Sequence, residues 1–132
     1  MITIQNLTST RIPKKKLEYL AKTILKKKWA GHNVSVVLVD PRRMRQLNRV
    51  YRGKDKPTNV LSFPGGKEAL GEIVLCPSVI RKDALEYKIS FQRAVSWMFV
   101  HGLLHLLGYD HKTSKDETTM NQQEQRYLSQ IA

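Results

Sequence analysis

Residues 94–111, AVSWMFVHGLLHLLGYDH, contain the most apolar stretch of the chain, with two histidines inside it and a third at its end. Apolar residues fall here on nearly every face of a helix, which is the pattern of a helix buried in the centre of a fold. The apolar part is shorter than the ~20 residues that a membrane span requires. Gly108 suits the left-handed position that follows a helix. We therefore predict a central buried helix over about residues 90–107 and no membrane association.

Three of the four histidines of the chain lie in this stretch. His101 and His105, one helical turn apart, have Cβ atoms about 5–6 Å apart on one face, so both imidazoles can converge on one ion. His111 follows the turn at Gly108 and can complete the set. Three neutral imidazoles leave one position open for water, which is the catalytic arrangement of zinc. We predict one Zn²⁺ ion held by these three histidines, although such sites also accept nickel, cobalt or copper.

A single histidine on an apolar helix is more often a hydrogen-bonded core residue than a ligand. Three histidines at this spacing would leave several polar ring nitrogens unsatisfied in the core, and a bound metal ion would satisfy them. The spacing matches the zinc-peptidase pattern H-E-x-x-H-x-x-G-x-x-H, whose Glu is the general base. Gly102 stands at the position of that Glu, which disfavours peptide hydrolysis. We expect Gly102 to allow the close approach of a substrate or of another element. His32 lacks such company and is expected at the surface.

The composition narrows the class of protein and its partners. With 132 residues the chain fits one domain, 1–132. Lys and Arg number 23 against 11 Asp and Glu, and the formal charge of +12 favours a polyanionic partner such as nucleic acid or a ribonucleoprotein, although charge also serves solubility. The lone Cys76 forms no intramolecular disulfide and is not a convincing ligand, and the N-terminus lacks a signal-peptide pattern. We expect a cytoplasmic protein without a disulfide-linked partner; the oligomeric state is not defined by the sequence.

Periodicity predicts the other elements. Alternation and β-branched content predict four short strands in one small sheet, at residues 2–5, 34–39, 59–63 and 72–75. The second strand is nearly all apolar and so is expected at the centre, and the Pro-Gly-Gly turn at 64–66 can join antiparallel neighbours. Besides the central helix, we expect one from Pro13 to Trp29 and another over about residues 77–87.

Two further helices carry capping signals. Asp40 is the predicted N-cap of one helix, in which Met44, Leu47 and Tyr51 mark the inner stripe. In the last helix, Ser114 and the acidic residue three positions later have capping-box spacing. The buried stripe of this helix is interrupted by one acidic residue, Glu124. The elements together predict an α+β domain with about five helices.

The eleven residues 101–111 follow H-G-x-L-H-L-x-G-Y-D-H, and the chain thereby resembles the YbeY family of bacterial rRNA-maturation endoribonucleases. The resemblance extends to LNRVYRGKDKPTNVLSFP at 47–64 and LGEIV at 70–74, and covers roughly residues 35–130. The family commonly has Asp where this chain has Asn59 and Glu72. The fold that the resemblance implies is a small mixed sheet packed with helices, with the histidine motif at the end of a central helix.

The resemblance also implies an activity and its partners. It implies a zinc-dependent, single-strand-preferring endoribonuclease that acts with a metal-activated water. Its implied role is maturation of the 16S 3′ end of rRNA and ribosome quality control, with rRNA and the ribosome or its small subunit as partners. The implied catalytic residues are Arg52, beside the metal, and His101. A guanidinium can pair two phosphate oxygens, although Arg52 could equally neutralise the dipole of a helix end.

Several alternatives stay open from the sequence alone. Asp110, Glu72 and the metal-activated water are candidate bases, and Asp110 is favoured instead for orienting a histidine or holding the turn. Basic residues near Arg52 and the lysine runs at 14–16 and 26–28 are either a phosphate-tracking surface or a solvated face. The alternative functions are a ribosome- or RNA-binding assembly factor with a structural metal, and a metal hydrolase of another substrate. The open coordination position favours an enzyme, and the charge favours RNA.

Overall fold

The computed structural model describes residues 1–26, 29–67 and 69–131, which form four strands and five helices in a single α+β domain. This confirms the predicted fold class. In chain order the elements are β1 (Ile2–Asn6), α1 (Lys14–Ile24), β2 (Asn33–Leu38), α2 (Pro41–Arg52), β3 (Val60–Pro64), β4 (Ala69–Leu75), α3 (Pro77–Tyr87), α4 (Phe91–Leu106) and α5 (Ser114–Leu128). Among the described helices, none combines the length and apolarity needed to cross a bilayer.

The four strands form one mixed sheet in the order β1-β2-β4-β3. β1 and β4 both run parallel to β2, and β3 runs antiparallel to β4. The predicted turn joins β3 to β4, where Gly65 N donates to Leu70 O over 2.9 Å. The position of β2 in the interior confirms the expectation from its nearly continuous apolar sequence.

Helix α4 lies at the centre of the molecule, as its sequence predicts. It packs against α1, α3, α5 and the strands β3 and β4. Val95, Phe99, Val100 and Leu103 have no exposed surface. The hydroxyl of Ser90 caps the helix by accepting from the backbone N–H of Arg93 over 3.1 Å. A helix surrounded in this way holds the side chains of its C-terminal turns in fixed positions.

Two predicted helix ends are wrong. Helix α1 ends at Ile24, and Leu25 already has a non-helical ψ of 73°, so the predicted extension to Trp29 does not form. Trp29 still packs against the main core from the segment that follows. At the start of α5 the cap is Thr113, one residue before the predicted Ser114, because the Thr113 hydroxyl accepts from the N–H of Asp116 over 3.1 Å. Part of the lysine run at 26–28 lies outside the described residues.

The predicted inner stripe of α2 also needs correction. Met44 is fully buried as expected, and Asp40 caps the helix by accepting from the N–H of Arg43 over 2.8 Å. Tyr51, however, is 64% exposed, and Asn48 is the buried residue of the last turns. The Asn48 amide donates to the carbonyl of Lys56 over 2.8 Å, which ties the segment after α2 back to the helix. The ring of Tyr51 therefore does not belong to the buried stripe of the helix.

Candidate active site

The structure brings the three histidines of the motif together. His101 and His105 lie one turn apart on α4, and His111 follows the end of that helix. The ring centres are separated by 4.8 Å between His101 and His105, 5.0 Å between His105 and His111, and 6.1 Å between His101 and His111. All three rings line one cleft.

A tight turn returns the chain so that His111 reaches the other two. Gly108 has a φ of +101°, which side chains rarely allow, and its N–H donates to His105 O over 3.0 Å. The N–H of Tyr109 donates to Leu104 O over 3.0 Å. Asp110 Oδ1 accepts from the backbone N–H of His111 over 2.6 Å. Asp110 therefore holds the turn, which is one of the two roles that the sequence favoured for it.

Glu124 contacts the first histidine from α5. Its carboxyl is 2% exposed, and Oε2 lies 2.7 Å from His101 Nδ1. The other oxygen, Oε1, accepts from Trp97 Nε1 over 2.8 Å. In the sequence Glu124 was visible only as an acidic interruption of an apolar stripe, and that interruption was the one signal of its importance.

The surroundings of His105 favour its uncharged form. Burial lowers the pKa of His105 below its ordinary value, and the proximity of His101 and His111 lowers the pKa further. A histidine must be neutral to bind a metal ion. The site therefore favours the protonation state that ligation requires.

The donor set fits a zinc ion of the catalytic type. Rings that ligate one tetrahedral zinc ion at about 2.0–2.1 Å have centres about 5 Å apart, close to the separations found here. No three His, Cys, Asp or Glu side chains in the described part of the chain are already arranged to hold a metal ion.

Strand β3 occupies the space beside Gly102. A Cβ atom at Gly102 would lie 3.0 Å from Ile73 Cγ2, 3.0 Å from Ser62 Oγ and 3.2 Å from Val60 Cγ2. The hydroxyl of Ser62 also donates to the carbonyl of Gly102 over 3.0 Å. The glycine thus serves the approach of another element, one of the two predicted reasons for it. Any side chain at this position, a glutamate of the peptidase type included, would require these neighbouring side chains to shift.

Arg52 lines the same cleft as the histidines. It is the last residue of α2, and the chain leaves the helix at Gly53 with a φ of +69°. In the described part of the chain Arg52 has no ion-pair partner, whereas Arg45 on the same helix is bound to Asp55 over 2.9 Å. The cleft has a volume of about 580 Å³, and its walls include Tyr51 and Phe63. The walls of one cleft therefore carry both the histidines and a guanidinium.

Other sequence-selected residues lie elsewhere. Glu72 lines an adjoining cavity on the far side of Tyr51 and Phe63, and does not line the histidine cleft. His32 is half-buried, with its ring 5.7 Å from that of Trp29. Cys76 is fully buried, and burial raises the pKa of its thiol. Neither of the two candidate carboxylate bases is among the described residues that line the histidine cleft, and Asp110 adjoins it only because it directly precedes His111.

Comparison with known proteins gives the chain clear relatives. The family model described as Endoribonuclease YbeY matches residues 3–132. The Endoribonuclease YbeY of Buchnera aphidicola subsp. Schizaphis graminum is 39% identical, with 97% of this chain and 87% of the relative covered. That of Vesicomyosocius okutanii subsp. Calyptogena okutanii is 37% identical, with 99% and 96% covered. The solution structure of TM1509 from Thermotoga maritima superimposes with a TM-score of 0.70 at 34% identity, covering 97% of this chain and 87% of that one.

Proposed function

Because the chain belongs to the Endoribonuclease YbeY family, we propose that it is a metal-dependent endoribonuclease that hydrolyses single-stranded RNA in the cleft between α2 and α4. We further propose zinc as the metal and the 16S 3′ end of rRNA as the substrate, in a cytoplasmic role in rRNA maturation and ribosome quality control. The observation that carries the proposal is the convergence, in one cleft, of three histidine rings and an arginine that has no ion-pair partner among the described residues.

His101, His105 and His111 would hold the metal. A bound zinc ion with three imidazole ligands supplies a water of lowered pKa and an electrophile for the phosphoryl oxygen. Two features of the protein support this role. The turn at Gly108 brings His111 to the other two histidines, and the lowered pKa of His105 favours its neutral form. The family resemblance implies a catalytic role for His101, and in this proposal that role is to bind the metal.

Arg52 would bind the scissile phosphate. Its guanidinium can donate to two phosphate oxygens at once and stabilise the charge that develops on them in the transition state. Its position at the last residue of α2 also places a positive charge at the negative end of the helix. The two roles predict different results for Arg52→Lys, because lysine retains the charge but not the planar pair of donors.

The surface beside the cleft suits a single strand. Tyr51, 64% exposed, lies at the wall of the cleft with its ring centre 4.9 Å from that of Phe63. An exposed aromatic ring offers a stacking face to an unpaired base, and duplex RNA does not present its bases in this way. The outer face of α2 adds exposed cations that can follow a phosphate backbone, namely Arg42, Arg43 and Arg49.

The structure disfavours the peptidase alternative, because β3 fills the space of the missing glutamate. An RNA-binding assembly factor with a structural metal remains the competing function. A structural zinc site has four protein ligands. The cleft presents three histidines and an open side, which supports catalysis over a structural role.

The test combines metal content with cleavage of a single-stranded RNA that carries the 3′ end of precursor 16S rRNA. His105→Ala is expected to lose both metal and cleavage. Arg52→Ala is expected to retain the metal and to lose cleavage by about 100-fold or more, the range typical for removal of a charge-stabilising donor. His32→Ala serves as the matched histidine control and should behave as the unmodified protein.

Arg52→Lys separates the two roles of the arginine. Recovery of full cleavage by this variant would favour neutralisation of the helix dipole, and continued loss would favour the paired contact with phosphate. If cleavage persists unchanged in both His105→Ala and Arg52→Ala, the activity belongs to another site. The assembly-factor function then takes first place.

A further inference from the structure

Glu124 combines deep burial with two charged or polar contacts, and no step of the proposed function uses it. Its side chain is 2% exposed, on the same face of α5 as Met120 and Leu128, which are 1% and 2% exposed. Burying a carboxylate is unfavourable unless its oxygens are hydrogen-bonded. Both oxygens are engaged here, Oε1 by Trp97 and Oε2 by His101.

The chemistry of Trp97 and His101 determines which hydrogen bonds the two oxygens of Glu124 make. The indole Nε1 of Trp97 can only donate a hydrogen bond. It therefore takes one acceptor of Glu124 in any protonation state. When the carboxylate is ionised, its second oxygen can only accept a hydrogen bond, so Nδ1 of His101 is the nitrogen that carries the proton. A neutral His101 with a proton on Nδ1 has its lone pair on Nε2.

We propose that Glu124 is a positioning residue, which fixes the ring orientation and the tautomer of His101 so that Nε2 is the nitrogen that binds the metal. Trp97 in turn fixes the carboxylate. The inference rests on the proposed three-histidine metal site. Carboxylates that orient a metal-binding histidine typically change metal affinity by 10–100-fold when they are replaced. His101 is thus held from α5, whereas its neighbour His105 has no such carboxylate partner in the described residues.

The substitution Glu124→Gln tests this role because it preserves size and removes one acceptor. The amide has a single oxygen, for which Trp97 and His101 compete. When the amide nitrogen faces His101, it donates to Nδ1, and the proton of the ring moves to Nε2. We expect zinc affinity about 10–100-fold lower than that of the unmodified protein, measured by competition with a zinc-binding dye.

Removing the competing donor should restore the site. In the double variant Trp97→Phe/Glu124→Gln, the amide oxygen is free to accept from Nδ1 of His101. We expect this double variant to bind zinc more tightly than Glu124→Gln alone, by at least about threefold. Trp97→Phe alone is the control for lost packing. A purely structural role for Glu124 predicts the opposite, because the double variant loses contacts at the buried Glu124 and at the half-buried Trp97.

The tautomer is measured directly and without metal. Long-range proton–nitrogen NMR spectra of the metal-free protein distinguish a proton on Nδ1 from one on Nε2. We expect Nδ1–H at His101 in the unmodified protein and a shift towards Nε2–H in Glu124→Gln. Nε2–H in the unmodified protein overturns the inference, and this measurement does not depend on the folding of any variant. Unchanged zinc affinity in a folded Glu124→Gln also overturns it.

The outcomes keep this inference separate from the proposed function. If the unmodified protein neither binds zinc nor cleaves RNA, the proposed metal site fails whatever the tautomer of His101. If it binds zinc and cleaves RNA but Glu124→Gln does so equally well, the proposed function stands and the role of Glu124 falls.

Discussion

Helices α2 and α4 contribute the two halves of the candidate site in opposite ways. α4 is surrounded by other elements, and its last turns hold His101 and His105 against β3. α2 carries its cations on an exposed face and ends at Arg52, where the chain turns away. In the proposed function, His101 and His105 on the buried helix would converge with His111 on one ion, and the cations on the exposed helix would meet a long polyanion. Substitutions in α4 should therefore act through folding and metal binding, and substitutions in α2 through RNA binding.

The largest expected effect is that of a side chain added inside α4. Gly102→Glu recreates the peptidase pattern but forces a carboxylate into space filled by Val60, Ser62 and Ile73. We expect a loss of at least about 3 kcal/mol in the free energy of unfolding, from overpacking and an unpaired buried charge. Chemical denaturation of the metal-free protein measures it.

Gly66→Glu is the matched control, because an added Cβ at Gly66 meets nothing within 4 Å. This variant should stay within about 0.5 kcal/mol of the unmodified protein. Equal stability of the two variants would mean that β3 does not pack against Gly102 as described. It would also contradict the expectation that substitutions in the buried helix α4 act through folding.

An intermediate effect is expected on α2. Tyr51→Ala should weaken the binding of a single-stranded oligoribonucleotide about tenfold, which corresponds to the loss of one stacked base. The folding stability should change little, because the ring is largely exposed. Fluorescence anisotropy with metal-free protein measures the affinity. Val50→Ala, a neighbour that is 69% exposed, should leave the affinity within about twofold; an equal loss in both variants would refute a stacking role.

The smallest expected effect concerns pH. Burial holds the pKa of His105 in the folded protein below its ordinary value of 6.5. Below that pH the unfolded chain binds more protons than the folded one, so this contribution to stability is present above pH 6.5 and is lost as the pH falls. Between about pH 7.5 and about pH 5, the unfolding free energy of metal-free His105→Gln should fall less than that of the unmodified protein. Urea titrations at the two pH values measure these free energies. An equal fall in both proteins would contradict a lowered pKa of His105 in the folded protein.

The periodic features of the chain were predictable because they depend on local rules. Strand alternation, the Pro-Gly-Gly turn and the apolar sequence of α4 each predict their elements, and the spacing of the histidines predicts their convergence. The residues that were misplaced or missed depend on packing between elements. Tyr51 and Asn48 lie three positions apart on α2, and Asn48, whose amide donates to the carbonyl of Lys56, is the one that is buried. Glu124 contacts His101 only because α5 packs against α4, and the pattern of apolar residues within one helix does not predict such a contact.

The placement of His111 has a kinetic consequence. His101 and His105 are part of a helix whose disruption means unfolding of the core, but His111 lies in an exposed turn closed by a few backbone hydrogen bonds. Such a turn can open locally at a small fraction of the free energy of global unfolding. In the proposed site, an ion that has lost His111 would be held by two ligands only, and could leave or be replaced while the domain stays folded. In the proposed metal site, the lifetime of the bound ion would therefore depend on the stability of the turn at Gly108, separately from the stability of the fold.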